Sequence, residues 1–150
     1  MTLRFVLLGH PVAHSLSPAI HGAAYEALGF SHRYELLDIP DEAALARAVA
    51  ALRAGEVAGA NVTVPWKREA LALADRREPT AGDVGAANVL VRDASGAVVA
   101  HNTDVMALVE ELGALARAPE RVLVLGAGGA SVAAVAALRM LGARSIGISA

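Results

Sequence analysis

Apolar residues fall in short runs, parted by segments rich in glycine, proline and serine. Leu3 to Leu8 is one such run, stopped by Gly9, His10 and Pro11, the profile of a buried strand. After the loop GHPVAHSLSP, Ser17 can cap a helix and Pro18 suits its first turn. Ile20, Ala24, Ala27 and Leu28 then repeat at helical spacing up to Gly29. Tyr34 to Ile39 is a second strand. Pro40-Asp41 opens a helix with Leu45, Val49 and Leu52 on one face, closed by Gly55. Val57 to Val64 reads as a third strand, ended by Pro65, and a helix over Lys67 to Ala74 follows. The segment REPTAGDVGA reads as a loop, and ANVLVRDASGAVVAHN as a hairpin turning at Asp93 to Gly96. Asp104 to Leu115 is helical, with Val105, Leu108, Val109, Leu112 and Leu115 as its stripe. Arg121 to Leu125 is a strand, GAGGAS a tight turn, Val132 to Leu141 a helix, and Ser145 to Ile148 starts another strand.

Strands alternating with helices predict an α/β protein with a mostly parallel sheet. The pattern divides near Thr103. Residues 1–103 hold three strand-helix units and a hairpin, expected to form a three-layer α/β domain. Residues 104–150 hold a linker helix and a fresh unit, expected to begin a Rossmann-type domain. At 55% hydrophobic and 19% charged, the 150 residues read as globular. A net charge of −2 gives no electrostatic case for nucleic acid or an anionic membrane. The absence of cysteine removes disulfides, thiolate metal sites and thiol nucleophiles, and is compatible with a cytoplasmic location. No apolar run reaches the ~20 residues of a spanning helix.

The run VLVLGAGGAS gives the chain its first chemistry. Gly126 permits a tight turn, and Gly128 lets a pyrophosphate approach the backbone. Ala130 and Ser131 are small enough for close helix packing, and a helix N-terminus favours phosphate charge. With a strand before it and a helix after, dinucleotide binding by Gly126, Ala127, Gly128, Gly129, Ala130 and Ser131 outweighs a plain structural turn. The following strand ends near Ser149-Ala150 without an acidic residue for a ribose hydroxyl, which favours NADP over NAD.

GHPVAHSLSP, NVTVPWK, GAAN, NTD and GAGGAS stand in that order, and the set strongly resembles the shikimate dehydrogenase family over essentially the whole chain. The resemblance implies NADPH-dependent reduction of 3-dehydroshikimate to shikimate, on the pathway to chorismate and the aromatic amino acids. It implies that Ser15 and Ser17 hold the substrate carboxylate, although alone they read as a loop residue and a helix cap. It implies that Asn61, Thr63 and Asn88 contact ring hydroxyls; by itself Asn88 reads as a turn residue. It makes Lys67 and Asp104 the catalytic pair, both touching substrate. Hydride arriving at a ketone leaves negative charge on oxygen, and an ammonium can stabilise that charge and supply the proton. Desolvation would lower the lysine pKa and the aspartate would raise it. The plain alternatives are a solvated first-turn cation at Lys67 and a helix cap at Asp104, and Asp104 could serve as cap and catalytic group together.

Several positions depart from the family pattern: Trp66 replaces phenylalanine or histidine, and Val132 stands where arginine or lysine often follows the glycine turn. The family's nucleotide domain also runs further, and its C-terminal helices return a glutamine to the substrate site. The chain is therefore expected to be a fragment or truncated product, inactive alone. An NAD-dependent quinate/shikimate dehydrogenase and a non-catalytic shikimate-binding module are the alternatives. A monomer or homodimer is expected. His10, His14, His21, His32 and His101 are assigned loop or packing roles, and no metal is expected.

Overall fold

Alternating side chains along the strands set the architecture. The structure, a computed structural model, describes residues 2–115 and 120–149. Strands β1 (Arg4–Gly9), β2 (Arg33–Asp38) and β3 (Gly59–Val62) run parallel, with β1 between the other two. The hairpin β5 (Val89–Arg92) and β6 (Val98–His101) adds to β3 through an antiparallel β3–β5 pair. The short β4 (Arg76–Arg77) closes the far edge beside β6, giving the order β2-β1-β3-β5-β6-β4. The main sheet is mostly parallel, as expected: β5 alone runs against its other five strands, because a tight hairpin joins antiparallel strands.

One face of this sheet packs against α2 (Glu42–Ala54) and α3 (Lys67–Leu73). Val6, Leu8, Ala60, Val62 and Leu90 meet Leu45, Val49 and Leu52 there, all buried. Each large side chain so buried contributes about 1.5–3 kcal/mol. Asp41 caps α2 by accepting the N–H of Ala44 at 2.7 Å, and Gly55 ends it at φ 80°, as the sequence predicts. The other face meets α1 (Ser17–Ala27) through the aromatic rings of Phe5, Tyr25, His21 and Tyr34.

A second sheet holds β7 (Arg121–Leu125) and β8 (Ser145–Ser149), parallel and joined by α6 (Gly129–Met140). A smaller core ties the units together. Val84 of α4 (Pro79–Val84), Val105 of α5 (Asp104–Gly113), and Ala133 and Ala137 of α6 pack in it with Ala86.

Four expectations change. The segment read as a loop holds the end of β4 and all of α4, where only Ala81 and Val84 are buried, too few positions to show a helical period. Strand β3 is shorter than Val57 to Val64, since the chain leaves the sheet at Thr63. Helix α6 begins at Gly129, inside the segment read as a turn. The stripe of α1 is not a core stripe: none of its residues is buried, and Ile20 is 66% exposed.

Candidate functional site

The site grows from the carboxyl ends of β1 and β3, where parallel strands leave a crevice for ligands. Strand β1 ends at Gly9, and beyond β3 lies Thr63. The N–H of His10 donates to the carbonyl of Val64 at 3.0 Å, which joins the two exits. A Cβ on Gly9 would run into the Thr63 side chain and come within 2.7 Å of Val12 Cγ1, so only glycine lets the exits approach. A hollow of about 600 Å³ opens there, lined by Ser15, Ser17 and Thr63 among others. The N–H of Ser17 donates to Ser15 Oγ at 3.2 Å, and Ser15 Oγ donates to Ser17 Oγ at 3.0 Å. Ser17 is therefore the first residue of α1 and does not cap it; Leu16 holds the cap position without a side-chain bond.

Lys67 opens α3, held by a turn in which Trp66 N–H donates to Thr63 O at 3.0 Å. The Trp66 indole donates to Ile39 O at 2.8 Å, anchoring the turn on the sheet's edge. Lys67 Nζ donates to Asp104 Oδ2 at 2.6 Å. The two side chains are 16% and 30% exposed, so solvent and salt screen the pair less than a surface bridge. The other carboxylate oxygen, Oδ1, accepts from Asn88 Nδ2 at 2.7 Å. Asn88 Nδ2 also donates to Thr103 Oγ1 at 2.9 Å, and its Oδ1 accepts the N–H of Thr103 at 2.9 Å. Both N–H groups of that amide are thus spent inside the protein, which leaves it one acceptor lone pair for a ligand.

Asp104 is not the cap of α5. Thr103 holds the cap position without a side-chain bond, and Asn102, one residue earlier and 3% exposed, satisfies the first N–H groups instead: its Oδ1 accepts the N–H of Asp104 at 3.1 Å and of Val105 at 3.4 Å. Asn102 Nδ2 donates to Ala86 O at 2.9 Å. The aspartate is therefore free to face Lys67, and its first-turn position is favoured by the helix dipole. Asn102 opens the NTD motif but carries no role in the sequence reading, although an asparagine just ahead of a helical stripe is a start signal.

Asn61 points into the α1 side of the sheet, where its Oδ1 accepts the phenol of Tyr34 at 2.7 Å. Burial, aided by Tyr25, pushes the Tyr34 phenol up to about 12, with Ser17 opposing the shift. Nothing local in the sequence marks Tyr34, because it reaches Asn61 across β1.

The glycine turn faces Lys67. Gly126 holds φ 103°, the left-handed region that glycine tolerates. Ala127, Gly128, Gly129 and Ala130 form one wall of a cleft of about 390 Å³, and Val64, Pro65, Lys67, Arg68 and Glu69 form the other. A Cβ on Gly128 would meet nothing within 4 Å, while one on Gly129 would lie 3.5 Å from Lys67 Cδ. The N–H of Ser131 donates to Gly128 O at 3.0 Å, and the N–H groups of Gly129 and Ala130 ahead of it, at the start of α6, lack intrahelical partners, so the turn can accept an anion. Lys67 thus faces the glycine turn across this cleft, and Val64 borders both the cleft and the serine-lined hollow. Among the described residues no three His, Asp or Glu side chains converge on a point.

Residues 7–90 match the family described as "Shikimate dehydrogenase substrate binding domain". The NADP(+) shikimate dehydrogenase of Geobacter sulfurreducens is 45% identical over 147 residues, which is 95% of this chain and 50% of that protein. The crystal structure of shikimate 5-dehydrogenase from Thermus thermophilus, in complex with NADP(H) and shikimate, superposes with a TM-score of 0.84 at 40% identity. That match covers 97% of this chain and 56% of that one. A quinate dehydrogenase from Corynebacterium glutamicum in complex with NAD gives the same TM-score of 0.84 at 32% identity, over 98% of this chain and 54% of that one. The chain spans about half the length of the relatives it matches.

Proposed function

The chain belongs to the shikimate dehydrogenase family, and from that premise we propose that it serves the reversible, NADPH-dependent reduction of 3-dehydroshikimate to shikimate. The observation that carries the reading is the placement of Lys67. Its ammonium is held at 2.6 Å by Asp104, and its stem lies against the glycine turn. The 40% identity to the Thermus thermophilus shikimate dehydrogenase, against 32% to the quinate dehydrogenase, supports the choice of substrate. We place the substrate-binding part in residues 1–103 and the start of the nucleotide-binding part after Thr103. A cytoplasmic monomer or homodimer, supplied there with reduced NADP, goes with this reading.

The turn fits a dinucleotide, because Gly128 presents bare backbone to open space and the cleft beside it is wide enough for a phosphate. Gly126 to Ser131 would hold it, through the free N–H groups at the start of α6. Bound NADPH supplies the hydride. The rest falls to side chains. Ser15 and Ser17 turn their hydroxyls to the substrate carboxylate, and Thr63 and Asn61 take ring hydroxyls. Lys67 Nζ stabilises the charge developing on the carbonyl oxygen and gives it a proton. Asp104 keeps the ammonium in place and accepts from a neighbouring ring hydroxyl. Asn88 holds Asp104, with one lone pair left for the ring.

The test is NADP-dependent oxidation of shikimate by the longest encoded form of the polypeptide, beside its Lys67→Ala variant. The variant is expected to keep shikimate binding and to lose about 10²–10⁴ in kcat. A parent that binds shikimate and never reduces NADP refutes the proposal.

A further inference from the structure

Resting on the shikimate reading, we propose that Tyr34 is a positioning residue of the substrate site, which turns the Asn61 amide so that its NH2 group is offered to the ligand. The geometry runs across three strands. Tyr34 lies on β2, Asn61 on β3, and β1 passes between them. The phenol clears β1 and donates to Asn61 Oδ1 at 2.7 Å. An amide has one carbonyl oxygen and one NH2, so fixing the oxygen inwards fixes the nitrogen outwards. Among the described residues, Asn61 Nδ2 makes no hydrogen bond, so both of its donors are open to a ligand.

Two features hold the phenol in place. Its ring stacks on His21 of α1, with centroids 4.0 Å apart and planes 4° from parallel. Ser17 is close enough to act on its hydroxyl, and burial keeps the phenol protonated, hence a donor, throughout the physiological range. Ser15 and Ser17 bond to each other and Tyr34 bonds to Asn61, so two hydrogen-bonded pairs stand side by side near the start of α1. The serines are rotors that swing to an arriving carboxylate, while the Tyr34 proton stays on Asn61. The consequence is a bias: Asn61 turns its two N–H donors to an acceptor such as a ring hydroxyl oxygen, and keeps at most one carbonyl lone pair, on the Tyr34 side.

Tyr34→Phe removes the hydroxyl and keeps the ring on His21. We expect shikimate binding, titrated by calorimetry on the chain, to weaken about fivefold to tenfold, the worth of one well-made hydrogen bond. In an Asn61→Ala background the same change is expected to add nothing, since the two residues act as a unit. The Asn61 side-chain amide resonances of the unliganded protein are expected to shift in Tyr34→Phe, a readout that needs no ligand. Equal shikimate affinity in parent and Tyr34→Phe, or losses that simply add in the double variant, overturns the role of Tyr34 alone. A melting temperature that falls while affinity stays unchanged marks Tyr34 as merely structural and overturns it too. A parent that binds no shikimate overturns the proposed function, and the positioning role falls with it.

Discussion

Replacing Asn102 by alanine removes three hydrogen bonds from one buried side chain. Two of them cap α5 at Asp104 and Val105, and the third satisfies Ala86 O. Loss of a cap costs about 0.5–2 kcal/mol. Leaving a buried carbonyl without its donor costs about 1–3 kcal/mol more. The sum centres near 3 kcal/mol, and for a chain of this size each kcal/mol moves the midpoint by about 2–4 °C. Asn102→Ala should therefore melt about 6–12 °C below the parent, followed by circular dichroism at 222 nm. The damage should also reach the chemistry, because the capped turn carries Asp104 and through it Lys67. A variant melting within about 1 °C of the parent would refute the reasoning, since such a result would leave these bonds without net worth.

Other outcomes follow from the same contacts. Gly9→Ala forces a methyl group into Thr63 and Val12, and should cost about 1–3 kcal/mol in urea unfolding, together with weaker shikimate binding; unchanged values for both would show that the two strand exits part freely. Asp75 is held below its ordinary 3.8 by hydrogen bonds from Arg53 and then by the N–H of Val98. A depressed carboxylate contributes stability above its unfolded pKa and loses it as pH falls through the folded value. Asp75→Asn should thus be less stable than the parent at neutral pH, and the gap should close as pH falls below 3.8; a gap that persists in strong acid contradicts that assignment.

Most of the elements were legible because their signals are local. Asp41 and Gly55 bracket α2 within a single run of sequence, and the turn at Asp93 to Gly96 carries its own chemistry: Asp93 accepts from Ser95 N–H at 2.8 Å, and Gly96 sits at φ 91°. Helix α4 and strand β4 were not legible. Six helical residues with two buried positions show no period, and two strand residues exist only by pairing with β6. The α1 stripe misled because apolar spacing records which residues could be buried together, whereas here Ile20 and Leu28 face outwards and the aromatic residues meet the sheet.

The sequence by itself determined the residue types of the site and their order: two serines, an asparagine and a threonine, a lysine, an aspartate, and a glycine turn. Hydrogen-bonding capacity and charge belong to each side chain, so they survive without coordinates. Tertiary structure alone decided how those capacities are spent. Asn88, a candidate for ring hydroxyls, gives both N–H groups to Thr103 and Asp104. Asp104, a candidate cap, is relieved of that duty by Asn102. Asn61 has its amide turned by a tyrosine two strands away. Asn102 is a local neighbour of Asp104, but the other partners lie 15 to 37 residues along the chain from the group they commit, and only folding brings them within hydrogen-bonding distance.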